Sequence, residues 1–236
     1  MNVLVVLAHP RRESLTGAVA DTFAAGLAEA GHRSELADLH AEGFDPCMTP
    51  ADEPDWDDGD KRYSVAVLAE QERIARNDAV ALVFPVWWWS VPALLKGWID
   101  RVWNNGWAYG KRNLAGKKGV LIGVAAGSVE SYARRRYDEA VRIQLDVGVL
   151  EFCGLESGGT HILFGSLDDD ATRAALIRQA GDLGRGFAGL FGEASVAARL
   201  ELQRPSARQA SASPPSANAR ASAGGNSENC STPTTR

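Results

Sequence analysis

The stretch LAHPRRESLTGA, Leu7 to Ala18, sets an imidazole, arginines and hydroxyls between an apolar run and a segment of helical period. A strand that turns into a helix there leaves the first helical amides unpaired at the positive end of the dipole, which makes a seat for phosphate. His9, Ser14 and Thr16 are placed to add side-chain donors to that seat. The plainer alternative makes Ser14 an N-cap and His9 a loop filler, and both readings stay open at this point. Neither G-x-x-x-x-G-K-[ST] nor G-x-G-x-x-G occurs here, so the seat is neither a P-loop nor a dinucleotide turn.

The second stretch is FPVWWWSVPALLKGWIDRVW, Phe84 to Trp103. Pro85 stops strand pairing and Pro92 suits a first helical turn, so Val86 to Val91 form a loop at the carboxyl edge of a sheet. Three consecutive indoles in a loop cannot all point into one core. At least one of Trp87, Trp88 and Trp89 therefore faces a ligand crevice, where a flat apolar wall suits a planar conjugated ligand, or an oligomer contact; the two uses are compatible. The third stretch, GVAAGSVESY from Gly123 to Tyr132, follows another strand. Its small residues let backbone amides approach a ligand edge, and Tyr132 adds a phenol donor; on its own, the same stretch reads first as a plain turn at Gly127.

These stretches need elements to hold them. Apolar runs of strand length occur at Val3–Ala8, Ser34–Leu39, Ala79–Phe84, Gly119–Val124 and Thr160–Phe164, mostly apolar on both faces. Helical spacing occurs at Gly17–Ala30, Val65–Arg76, Pro92–Trp103, Ser131–Leu150 and Ala171–Phe191. Strand and helix taking turns predicts a small doubly wound α/β fold with a parallel five-stranded sheet and helices on both faces. In such folds ligands sit beyond the carboxyl ends of the strands, where strand order reverses. The acidic stretch PADEPDWDDGD, Pro50 to Asp60, reads as a solvated loop, since its spacing does not match an EF-hand. No metal site is predicted.

Composition bounds the rest. The 236 residues are 45% apolar, enough for one core. From Arg204 to Arg236 the chain is almost wholly Ala, Ser, Pro, Gly, Asn and Arg, which predicts a disordered tail over 204–236 behind a folded domain of residues 1–200. That tail carries four arginines against one glutamate, so the net charge of −5 leaves about −8 on the remainder. Such a body is a poor nucleic-acid binder. No apolar run approaches the roughly 20 residues of a membrane span. The N-terminus lacks a signal-peptide pattern, and Cys47, Cys153 and Cys230 make neither a metal spacing nor an even set. The expected compartment is the cytoplasm.

Taken in order, the three stretches resemble the NAD(P)H:quinone oxidoreductase (DT-diaphorase-like) family, which includes smaller bacterial NAD(P)H oxidoreductases. The family's H-P-x-x-x-S is matched by His9, Pro10 and Ser14. Its signature F-P-x-x-W-x-x-V-P-A-x-L-K-G-W-x-[DE]-R-V is matched by Phe84, Pro85, Trp88, Val91, Pro92, Ala93, Leu95, Lys96, Gly97, Trp98, Asp100, Arg101 and Val102. GWAYG at Gly106–Gly110 and FCG at Phe152–Gly154 are further landmarks. The resemblance implies a flavodoxin-like fold with strand order 2-1-3-4-5 and a bound flavin, FAD or alternatively FMN. It implies NAD(P)H as co-substrate, a quinone-like acceptor, ping-pong hydride transfer and a homodimer. By position His9, Ser14, Leu15 and Thr16 take the phosphate side, Pro85, Val86, Trp87, Trp88 and Trp89 border the ring, and Val124, Ala125, Ala126 and Gly127 reach its polar edge. Two threonines and a glycine of the family's T-T-G-G are here Val124, Ala125 and Ala126, so the hydroxyls are lost and the amides remain. Tyr132 and Tyr109 are the implied catalytic phenols. A family histidine just after the tyrosine is absent; ARRRYDEA, Ala133 to Ala140, stands there, with Arg134, Arg135, Arg136 or Tyr137 as substitutes. Rival readings are a flavodoxin-like electron carrier and a regulatory subunit of a potassium efflux system.

Overall fold

The computed structural model describes residues 1–192. Its five strands are β1 (Asn2–Leu7), β2 (Arg33–Asp38), β3 (Ala79–Pro85), β4 (Lys118–Ala125) and β5 (Glu156–Phe164). All pair in parallel, in the order β2-β1-β3-β4-β5. Parallel neighbours require crossovers, supplied by helices α1 (Leu15–Glu29), α2 (Val65–Arg76), α3 (Ala93–Val102) and α4 (Val129–Arg135) with α5 (Tyr137–Val141); α6 (Asp170–Arg185) follows the last strand. The fold is flavodoxin-like, as expected.

Alternate strand residues feed two separate cores. Val3, Val5, Leu7, Ala81, Val83, Val120 and Ile122 pack with Phe23 of α1 and Leu176 of α6. Leu4, Val6, Leu82, Phe84 and Leu121 pack with Ile74, Trp98 and Leu145 on the opposite face. Both faces are apolar, which is why these strands read as continuous apolar runs. The helices α1 and α6 touch backbone to backbone: a Cβ on Gly26 would lie 2.3 Å from the Gly181 carbonyl oxygen.

Three expectations need correction. The helix expected over Ser131–Leu150 is broken at Arg136, which takes a left-handed conformation (φ 57°), and continues past α5 as a π-helix, Arg142–Glu151. The wide turns seat Leu145 and Leu150 in one core and let Asp146 accept a hydrogen bond from the Ser157 hydroxyl of β5, a tertiary demand that helical spacing does not report. The helix expected to reach Phe191 ends at Arg185, before Gly186 and a 3₁₀ turn, Phe187–Leu190. The strand expected from Thr160 begins at Glu156, because Gly158 and Gly159 mask its start. Gly158 lies against Phe191, whose ring would meet a Cβ there at 2.9 Å. The tail expected over 204–236 lies outside the described residues.

Candidate active site

The sheet order reverses between β1 and β3, and the loops beyond the carboxyl ends of β1, β3 and β4 carry the three stretches singled out above. At the end of β1, Ser14 is the N-cap of α1, and its Oγ accepts from the Gly17 amide at 3.1 Å. The amides of Leu15 and Thr16 have no acceptor among the described residues, so the start of α1 keeps free donors. The Thr16 side chain is buried. His9 folds back on its own turn, its Nδ1 accepting from the Arg11 amide at 3.0 Å, and burial lowers its pKa below the usual value. Arg12 pairs with Asp21 and lies 3.6 Å from Asp38. The N-cap reading is met and leaves the phosphate-seat reading open: the cap takes one amide and leaves others.

After β3, Val86 donates to the Val124 carbonyl at 2.8 Å, and the chain then reverses. Trp87 and Ser90 exchange backbone hydrogen bonds, each 3.1 Å, around Trp88 (φ 51°) and Trp89 (φ 55°). A two-residue turn with both central residues at positive φ normally uses Asn or Gly. Left-handed backbone costs an L side chain roughly 1–2 kcal/mol, so this turn is strained twice. Trp88 is 87% exposed. Trp87 comes within 6.2 Å of the His9 ring, joining the indole turn to the start of α1, and the Trp89 ring lies 4.2 Å from that of Tyr137.

At the end of β4, Val124 and Ala125 are buried in the strand, while Ala126 is exposed and Gly127 half-buried. The amides of Ala126 and Gly127 have no acceptor among the described residues. Tyr132 on α4 packs on Gly127, Phe164 (4.9 Å) and Tyr137 (5.8 Å), and burial raises its pKa. Tyr109 is not brought to it by any ring contact among the described residues. Its partners are Trp56 at 5.8 Å and Phe152 at 5.6 Å, and burial raises its pKa also. A cavity of about 560 Å³ between β5 and α6 holds none of the residues expected at the site.

The second half of the tryptophan signature turns inward. Trp98 is fully buried and donates through Nε1 to Glu70 at 2.9 Å. Arg101 pairs with Asp52 at 2.7 Å, both buried, and Asp52 also accepts from Thr49 Oγ1 and from the amide and hydroxyl of Ser64. Burial alone would raise the Asp52 pKa; hydrogen bonds from Arg101, Ser64 and Thr49 outweigh it and bring the carboxyl below its ordinary value. The acidic stretch is thus not wholly a solvated loop: Asp52 is its buried anchor. The pairing of Asp52 with Arg101 spans 49 residues, so no local spacing marks it.

The family described as flavodoxin-like fold matches residues 1–183. An NAD(P)H oxidoreductase of Escherichia coli (strain K12), named uncharacterized, is 38% identical over 162 residues, covering 68% of this chain and 82% of that protein. The chain belongs to the NAD(P)H:quinone oxidoreductase family. Among solved structures, an NAD(P)H:quinone oxidoreductase from Methanothermobacter marburgensis superposes with a TM-score of 0.76 at 32% identity, covering 79% of this chain and 96% of that one. The general stress protein 14 of Treponema denticola, solved in complex with FMN, gives 0.58 at 25% identity, covering 80% and 99%.

Within this family member, the donors suit a flavin. Free amides at the start of α1 fit a phosphate, and those of Ala126 and Gly127 fit the polar edge of a ring. β3 lies between β1 and β4, so the two donor sets stand two strand spacings apart, about 10 Å, with the indole turn between them. Sequence reasoning missed Phe164, Ser90 and Gln144, the last two joined by a 3.0 Å hydrogen bond from Ser90 Oγ. It placed Tyr137 only as a substitute for an absent histidine.

Proposed function

We propose that the chain is a flavin-dependent NAD(P)H oxidoreductase that passes two electrons as hydride to a quinone or similar flat acceptor. The observation that carries this reading is the convergence, at the carboxyl edge of one sheet, of free phosphate-type amides, an exposed indole turn and a buried phenol. The bound flavin, FAD or FMN, supplies hydride acceptance from NAD(P)H and hydride donation to the second substrate at its N5. The chain's residues do the rest. Leu15 and Thr16 amides hold the phosphate, and Ala126 and Gly127 amides stabilise negative charge gathering on the ring's polar edge. Val86, Trp87, Trp88 and Trp89 form the apolar wall that orients flat partners and excludes water. One slot used in turn by donor and acceptor gives ping-pong kinetics.

The Tyr132 phenol, whose pKa burial raises further above its ordinary value, can donate to a quinone oxygen as that oxygen becomes a hydroxyl. The reaction balances as NAD(P)H, a proton and quinone giving NAD(P)⁺ and hydroquinone. Tyr109, grouped with exposed Trp56 and Phe152, acts in this reading from the surface where a second copy docks, which makes the protein a homodimer. No described helix is long and apolar enough to cross a membrane, and the cytoplasm is the compartment we propose. The test is anaerobic addition of NADPH to flavin-loaded protein. Bleaching of flavin absorbance, reversed by quinone, is expected; Trp88→Ala weakens flavin retention; and heat release of the cofactor followed by mass measurement separates FAD from FMN. Protein that stays colourless with both flavins refutes the proposal.

A further inference from the structure

Among the described residues, nine glycines take positive φ, and only three other residues do: Trp88, Trp89 and Arg136. Elsewhere this chain turns left-handed corners with the residue that adopts them without strain. The three exceptions flank a single contact. Trp89 sits in the turn closed by Trp87 and Ser90, and Tyr137 follows Arg136 directly; their rings are 4.2 Å apart and inclined at 32°. Arg136 is fixed by a double hydrogen bond to Glu139, at 2.5 and 2.7 Å. Tyr137 is backed in turn by Tyr132, 5.8 Å away and edge-on, and Tyr132 by Phe164. A second tie runs alongside, from Ser90 Oγ to Gln144 on the π-helix at 3.0 Å. Strained backbone persists only where its surroundings over-determine it, and it gathers where a fixed geometry is needed.

We propose that Tyr137 is a positioning residue. Its ring braces Trp89 and so fixes the indole turn relative to Tyr132. The inference rests on the function proposed above and deepens it: a turn held in one geometry offers flat acceptors a fixed indole wall. The helix break at Arg136 exists in this account to deliver the Tyr137 ring to Trp89.

The experiment compares wild type with Tyr137→Ala, Tyr137→Leu and Tyr137→Phe in flavin-loaded protein. Kinetics are measured with a one-ring benzoquinone and a three-ring anthraquinone, and amide hydrogen exchange is followed at Trp87 and Ser90. Loss of an aromatic pair predicts a roughly five- to tenfold rise in KM for the benzoquinone and the anthraquinone alike, with kcat held. Exchange at Trp87 and Ser90 accelerates, and Tyr137→Phe restores all three. Tyr137→Leu keeps apolar volume without a ring, so it gives the same result if Tyr137→Ala does not fold. Unchanged KM values and exchange in the Ala and Leu variants overturn the inference. A fall in kcat that Tyr137→Phe fails to restore also overturns it, since the hydroxyl would then be doing chemistry. Failure of the underlying function looks different: wild type itself would reduce neither quinone.

Discussion

Trp88 and Trp98 stand ten residues apart in one signature and live in opposite surroundings. Trp98 has no exposed surface, an ordinary helical backbone and a carboxylate for its N–H; Trp88 is 87% exposed on a strained turn. The same side chain is thus used once to hold the molecule together and once exposed on a turn at the sheet's edge. A motif that long is read too simply as one site. Its first half, Phe84 to Trp89, makes the edge of the sheet, and its second half, Leu95 to Val102, fixes the helix and the loop behind that edge.

The comparison breaks first if the inward half proves dispensable. Removing Arg101 leaves the Asp52 carboxylate buried without its cation, and breaking a buried ion pair in this way costs about 3–5 kcal/mol. Arg101→Ala is therefore expected to unfold at a much lower urea concentration than wild type, or to be insoluble, although Arg101 borders none of the residues assigned to the ligand. An unfolding midpoint equal to wild type would show that the 49–64 loop is held by other contacts.

How much of this was legible in the sequence follows the same division. The sheet was legible because Val3 to Leu7, Ala79 to Phe84 and Gly119 to Val124 are apolar on both faces, and only a strand covered on both sides is written that way. The position of the three stretches at one edge of the sheet was legible because each follows a strand. The break at Arg136 was not, because nothing in ARRRYDEA disfavours a continuous helix; Tyr137, which follows the break, meets Trp89, 48 residues earlier in the chain. Asp52 was hidden among five other carboxylates of one acidic run, and only its distant partner distinguishes it. Gly158 and Gly159 concealed the start of β5, where glycine is tolerated because Phe191 fills the space. What local pattern cannot carry is contact between distant segments.

A second measurement sharpens the inward half by pH. Glu35 on β2 is held down to about 2, chiefly by its hydrogen bond from Arg76, with further help from Asn77 and Arg73. A carboxylate depressed on folding contributes stability that is complete above its unfolded value and is lost as pH falls through the folded one. The window for Glu35 accordingly runs from its ordinary 4.5 down to about 2. Glu35→Gln is expected to lower stability above that window and to flatten the decline within it, read from urea midpoints at successive pH values. An undiminished decline would assign acid sensitivity to Asp52 instead, whose pKa is also lowered but whose partner Arg101 is buried.

The smallest effect tests the outward half. Trp88→Gly removes a side chain that touches little and gives the left-handed position the residue suited to it, so the change in stability is expected to be favourable by about 0.5–1 kcal/mol, or 1–4 °C in melting temperature. Flavin retention should fall at the same time. Stability gained where binding is lost is the mark of a turn kept strained for its ligand, and Trp98, already buried and bonded, can show no such exchange. A fall in melting temperature would mean that the indole is covered. If that fall shrinks on dilution, because the wild type itself loses stability as copies separate, the cover is a second copy of the chain, and the exposed turn is half of an interface as well as a wall of the slot.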